Sequence, residues 1–176
     1  MALKKALYIL LAHAIFFSSA VYAMSEKIAP AQNTFSERTQ YTDFYLADLD
    51  GIYTRLSDHK GKVIFLNFFA TWCPPCRNEL PSMQKLHEKM KTSDFEMIAV
   101  SVDRAGKERV REFIGRGGYS FKVLLDSDGS TAKKYHVSSI PATFIIDKSG
   151  KIVNRVIGER DWASDAIISE LKKLAQ

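Results

Sequence analysis

Two cysteines are the only thiols in the chain, Cys73 and Cys76, in the run Thr71-Trp72-Cys73-Pro74-Pro75-Cys76. Two sulfurs three residues apart at a helix start close a disulfide with little backbone change. The first lies near unpaired backbone N–H groups and the positive end of the helix dipole. A thiolate there is stabilised, so its pKa falls and its reactivity rises. Pro74 and Pro75 lack N–H groups, which a first helical turn does not need, and they stiffen the loop. A purely structural staple is disfavoured. A four-residue loop yields only about 2 kcal/mol of chain-entropy stabilisation, against about 3 kcal/mol for fifteen residues. Two thiolates also suit Cu(I), which accepts few, soft ligands, so a Cu(I)-binding metallochaperone is a competing reading. Zinc would want four ligands, and His13, His59, His87 and His136 stand alone in the sequence.

The elements that must position this pair flank it directly. Val63–Phe69 (VIFLNFF) is a nearly continuous apolar run, the pattern of a central strand buried on both faces. After Pro75, Leu80, Met83, Leu86 and Met90 recur at helical spacing. Asp43–Leu49 and Ile52–Leu56 are β-prone runs around Asp50-Gly51, a hairpin pattern. Phe95–Val102 and Phe121–Leu125 read as strands, with a helix over Lys107–Arg116 that turns Val110, Phe113 and Ile114 inward and stops at Gly117-Gly118. A short helix over Ser130–Tyr135 follows, then strands Ala142–Asp147 and Ile152–Ile157 joined through Lys148-Ser149-Gly150. The last helix, Ser164–Leu174, carries Ile167, Ile168, Leu171 and Leu174 on one side. The order predicts an α/β domain, a mixed sheet with helices on both faces.

Composition excludes several classes. With 46% hydrophobic and 26% charged residues the chain is ordinary globular material. The formal charge of +5 comes from 25 basic residues interleaved with 20 acids, without a basic block, which argues against a nucleic-acid partner. Residues 1–23 read as a secretory signal: Lys4 and Lys5, an apolar run Ala6–Phe17 broken by His13, and a small-residue tail ending Val21-Tyr22-Ala23. Loss of the two lysines lowers +5 to about +3. Uncleaved, the same segment would be an N-terminal anchor and the chain's one contact with a membrane, although a span needs about 20 apolar residues. Residues 24–40 form a polar linker and 41–176 the domain. The domain is then periplasmic or otherwise extracytoplasmic, soluble after cleavage, with its cysteines in an oxidising compartment.

From about Tyr41 to Leu174 the sequence resembles the thioredoxin superfamily, specifically the exported TlpA/ResA-like thiol–disulfide oxidoreductases. The resemblance rests on Phe65-Leu66-Asn67-Phe68-Phe69-Ala70-Thr71-Trp72-Cys73-Pro74-Pro75-Cys76-Arg77-Asn78-Glu79-Leu80-Pro81 and on Ile140-Pro141-Ala142-Thr143-Phe144-Ile145-Ile146-Asp147, about 65 residues further on. It implies a thioredoxin fold, a mixed central sheet flanked by helices, with an N-terminal β-hairpin and a helix-plus-strand insertion near Val102–Leu125. It implies a cis bond before Pro141, and substrate docking along Ser139, Ile140 and Pro141, with Trp72, Pro74 and Pro75 on the contact surface. Asn67 stands where cytosolic thioredoxins keep a buried Asp. Glu79 matches an acid that this branch places near the cysteines, one turn from Cys76 and able to exchange its proton. The blander reading of Glu79 is a first-turn acid complementing the helix dipole. Pro81 matches a helix kink, and His136 reads as a plain surface histidine.

The activity implied is protein-disulfide reduction by exchange. Cys73 attacks, Cys76 resolves with Glu79 or water as proton acceptor, and the Cys73–Cys76 disulfide is the redox group, with no organic cofactor. Exported protein thiols and disulfides are the substrates, apocytochrome c among them, with a membrane thiol-electron transporter as reductant. Pro74-Pro75 brings no cation to deepen thiolate stabilisation, which favours a reductant over a thiol oxidant. Peroxide reduction would require the P-x-x-x-T-x-x-C pattern of peroxiredoxins. Thr71 lies two residues before Cys73 and five before Cys76, so the spacing fails.

Overall fold

The computed structural model describes residues 40–91 and 93–176. The leader at 1–23 and, Gln40 apart, the linker at 24–40 lie outside the described residues.

An antiparallel hairpin opens the domain, β1 (Tyr45–Ala47) with β2 (Tyr53–Arg55). It is shorter than the β-prone runs suggest, because acidic side chains capture the flanking backbone donors. Asp48 Oδ1 accepts from the N–H groups of Asp50 and Ile52. Asp43 Oδ1 accepts from those of Phe44 and Ser57, and Leu56–His59 winds into a 3-10 turn instead of extending the strand.

Next come β3 (Val63–Phe69), α1 (Pro74–Met90), β4 (Phe95–Ser101), α2 (Lys107–Gly117), β5 (Lys122–Leu125), α3 (Ser130–Lys134), β6 (Ala142–Ile146), β7 (Ile152–Ile157) and α4 (Asp165–Leu174). The main sheet runs β5-β4-β3-β6-β7. Strand β3 lies at its centre, parallel to β4 and antiparallel to β6, and all seven of its residues are buried. Both faces are covered, which is why the run is apolar without alternation.

The pleat sends alternate side chains to opposite cores. Val63, Phe65 and Phe69 meet Leu80, Met83, Leu86 and Met90 of α1, Val110 and Ile114 of α2, and Ile168 and Leu171 of α4. Ile64, Leu66 and Phe68 meet Phe44, Leu56, Ala132 and Tyr135. Among the described residues helices therefore lie on both faces, but unevenly: three on one side, and only the short α3 beside the hairpin on the other. Phe113, expected inward, is half-buried, and the αL residue Gly118 (φ 67°) ends α2. Met83 and Met90 are fully buried helix core. Helix α2 and strand β5 fill the expected insertion, with β5 added parallel to the outer edge of β4.

Candidate active site

Strand β3 delivers the chain to a turn at its C-terminal end, and α1 starts there. The Cys73 N–H donates to the Ala70 carbonyl at 3.2 Å, closing the turn Ala70–Cys73. Cys73 is the N-cap, in extended conformation, with Pro74 and Pro75 as the first two helical residues. Its sulfur accepts from the Cys76 N–H at 3.3 Å, so it occupies the place of a capping oxygen. Cys73 and Cys76 are joined in a disulfide with Cα atoms 5.3 Å apart. Both are buried, while Pro74 and Pro75 are exposed and Trp72 is 61% exposed beside them.

The second wall comes from the start of β6. The Ile140–Pro141 peptide is cis, as the resemblance implies. The Ile140 carbonyl oxygen lies 3.8 Å from Cys73 Sγ. The Pro141 carbonyl accepts from Gly158 N–H at 2.9 Å, tying this loop to the end of β7. The structure thus brings Trp72, Cys73, Pro74, Pro75, Cys76, Ile140 and Pro141 to one end of the sheet.

Glu79 lies beneath, 2% exposed. It is the sixth residue of α1, beyond the first turn, so the dipole-complementing reading does not hold: the first turn carries no acid. Its Oε1 accepts from Asn67 Nδ2 at 2.9 Å. Its Oε2 accepts from Trp162 Nε1 at 3.0 Å and from the Arg160 backbone N–H at 3.3 Å. Burial pushes its carboxyl up from 4.5 to about 7; the hydrogen bonds from Trp162, Asn67 and Arg160 pull the other way without cancelling it. A carboxyl that titrates near neutrality suits proton exchange at working pH. An open cleft lined by Asn78, Pro81, Ser82, Lys85 and the segment Glu159–Asp161 reaches Glu79 from solvent. Asn67 uses Nδ2 for a second bond, to Thr143 Oγ1 at 2.9 Å, two residues beyond Pro141.

His136 is exposed and stands apart from this cluster, with φ 50°, and its carbonyl accepts from Arg155. Sequence reasoning missed Trp162, Arg160 and Thr143 as neighbours of the acid. A tryptophan in the polar segment Gly158–Ala163 was the one available hint. It missed Asp103 as well. That residue follows a buried strand, but so do Asp126 and Asp147, and those two cap local turns. Among the described residues no group of three or more His, Cys, Asp or Glu side chains converges as a metal site.

A model of the AhpC/TSA family matches residues 38–155. The chain is 37% identical over 137 residues to the thiol-disulfide oxidoreductase ResA of Bacillus subtilis, covering 78% of this chain and 76% of that one. It is 39% identical over 132 residues to ResA of Geobacillus kaustophilus, covering 72% and 75%. Among solved structures, a thiol:disulfide interchange protein of the thioredoxin family from Chlorobium tepidum superimposes with a TM-score of 0.67 at 27% identity, over 80% of this chain and 97% of that one. With a Cys-X-X-Cys disulfide at the head of α1 and these relatives across the domain, the chain belongs to the AhpC/TSA family and is a ResA-like thiol–disulfide oxidoreductase.

Proposed function

We propose that this oxidoreductase works outside the cytoplasm as a reductant of exported proteins, with residues 1–23 directing export as a cleaved leader or retained anchor. Cys73 thiolate attacks one sulfur of a substrate disulfide. That bond breaks, the leaving substrate thiolate takes a proton, and a mixed disulfide forms. Glu79 takes the proton of Cys76, whose thiolate attacks Cys73 Sγ. The mixed disulfide breaks, the second substrate thiolate leaves and is protonated, and Cys73–Cys76 is oxidised by two electrons. Trp72, Pro74, Pro75, Ile140 and Pro141 form the docking surface. The cysteine pair is the only redox group this scheme needs. A membrane thiol-electron transporter restores the dithiol, and apocytochrome c is one candidate substrate.

The observation that carries the reading is the buried Glu79, one helical turn from Cys76, with a carboxyl near 7. The reductive direction is supported by the polar neighbours of Cys73 Sγ, a single N–H and the Ile140 carbonyl. A carbonyl facing the sulfur does not stabilise a thiolate, and a less stabilised thiolate makes a stronger reductant. The test is the reduction potential of Cys73–Cys76, followed by Trp72 fluorescence. A value near thioredoxin's, about −270 mV, supports a reductant; one near about −120 mV would make the protein a thiol oxidant.

A further inference from the structure

A second buried carboxyl lies behind the nucleophile. Asp103, two residues past the end of β4, is 1% exposed. Its Oδ1 accepts from Thr71 Oγ1 at 2.6 Å, and its Oδ2 from the Thr71 backbone N–H at 2.9 Å and Ser101 Oγ at 2.8 Å. All three donors are neutral. A carboxylate enclosed in this way is expensive to bury, and short charge-assisted bonds offset that cost.

The Thr71 N–H belongs to the same peptide unit as the Ala70 carbonyl, and that carbonyl holds the Cys73 N–H at 3.2 Å. Asp103 thus grips one edge of an amide whose other edge holds the cysteine backbone. An acceptor on the N–H polarises the carbonyl and strengthens the bond that carbonyl receives. A parallel bond, Val102 N–H to the Phe69 carbonyl at 2.9 Å, fixes the strand ends that carry both partners. We infer that Asp103 is a positioning residue for thiol–disulfide exchange: through the Ala70–Thr71 amide it holds Cys73 at the N-terminus of α1. This deepens the proposed function, since it rests on Cys73 being the attacking thiol.

The test uses the full chain, reduced, carrying Cys76→Ser so that Cys73 is its one thiol. Alkylation by iodoacetamide is followed by mass spectrometry across pH, with folding checked by circular dichroism. Asp103→Ala should slow alkylation at neutral pH by about tenfold and displace its pH profile, because small misplacements of a reacting group are costly. Asp103→Asn keeps the hydrogen-bonding shape and should restore most of that loss. Thr71→Val removes the Oγ1 bond, keeps the N–H, and should slow alkylation by about threefold; it decides the matter if Asp103→Ala does not fold. A folded variant, Asp103→Ala or in its place Thr71→Val, with wild-type rate and profile overturns the inference. Equal losses in Asp103→Ala and Asp103→Asn also overturn it. A Cys73→Ser protein separates the two claims. If Cys76 alkylates faster than Cys73, the nucleophile assignment fails and takes this inference with it. If Cys73 is faster but indifferent to Asp103, the inference alone fails.

Discussion

Two glutamates at different ends of the central sheet have opposite fates. Glu96, beside Ile64 near the start of β3 and β4, has Lys62 Nζ at 3.1 Å and His59 Nδ1 at 3.6 Å. The His59 imidazole beside it and the hydrogen-bonded Lys62 ammonium outweigh burial and hold its carboxyl down at about 2. Glu79 meets the sheet at Asn67, nearer the other end. Its three donors carry no formal charge, and burial raises it to about 7. What separates the two is a cation. With one, a partly buried carboxylate contributes to stability. Without one, the same side chain becomes an acid that titrates at working pH, and the fold is less stable for it.

The largest effect expected from this contrast is on turnover. Glu79→Gln should slow resolution of the mixed disulfide by about a hundredfold and flatten its pH dependence around pH 7, measured by stopped-flow exchange with a model disulfide. Rates that match wild type across pH would break the comparison at its functional end. The hydrogen-bonded donors alone would then account for Glu79.

Stability should respond next, with opposite signs at the two sites. The folded value of Glu79 lies above its ordinary 4.5, so the folded protein loses stability as pH rises from about 4.5 through 7, by about 3 kcal/mol in full. Glu79→Gln should therefore gain on wild type over that window in urea titrations, and a gap that does not change with pH would refute it. Glu96 is depressed, so its contribution is complete above about 4.5 and is lost as pH falls through 2. Glu96→Gln should cost about 1 kcal/mol at pH 7, since the pair is partly exposed and screened, and progressively less as pH falls from about 4.5 toward 2. Exchange rates should not move. The smallest effect is that of Lys62→Met, about 0.5 kcal/mol at low salt and none in 1 M salt. Persistence of that loss at high salt would mean that Lys62 acts through packing.

Legibility in the sequence followed locality. Strand β3 was readable to the residue because a run of seven with six apolar side chains, interrupted at Asn67, suits a doubly covered strand. The buried face of α1 was readable from helical spacing, and the cysteine pair from its place between the two. The hairpin was overextended, since Asp43 and Asp48 compete for backbone donors in a way that β-propensity ignores. The position of Glu79 was legible but its surroundings were not. Counting along a helix places it one turn from Cys76, whereas its burial depends on Trp162, 83 residues away. Asp103 was invisible for the same reason: its partner Thr71 is 32 residues back, and acids that only cap turns follow other strands here.

The sequence by itself determined the α/β order, the covering of β3 on both faces, and a disulfide-forming pair at a helix N-terminus. These depend on periodicities and spacings of a few residues, which the backbone enforces locally. Only the tertiary structure decided which acid would be stripped of water without a cation, and which would brace the turn that carries Cys73. Hydrogen-bond partners and solvent exclusion are supplied by whatever segment arrives from elsewhere in the chain, and no local pattern encodes that arrival.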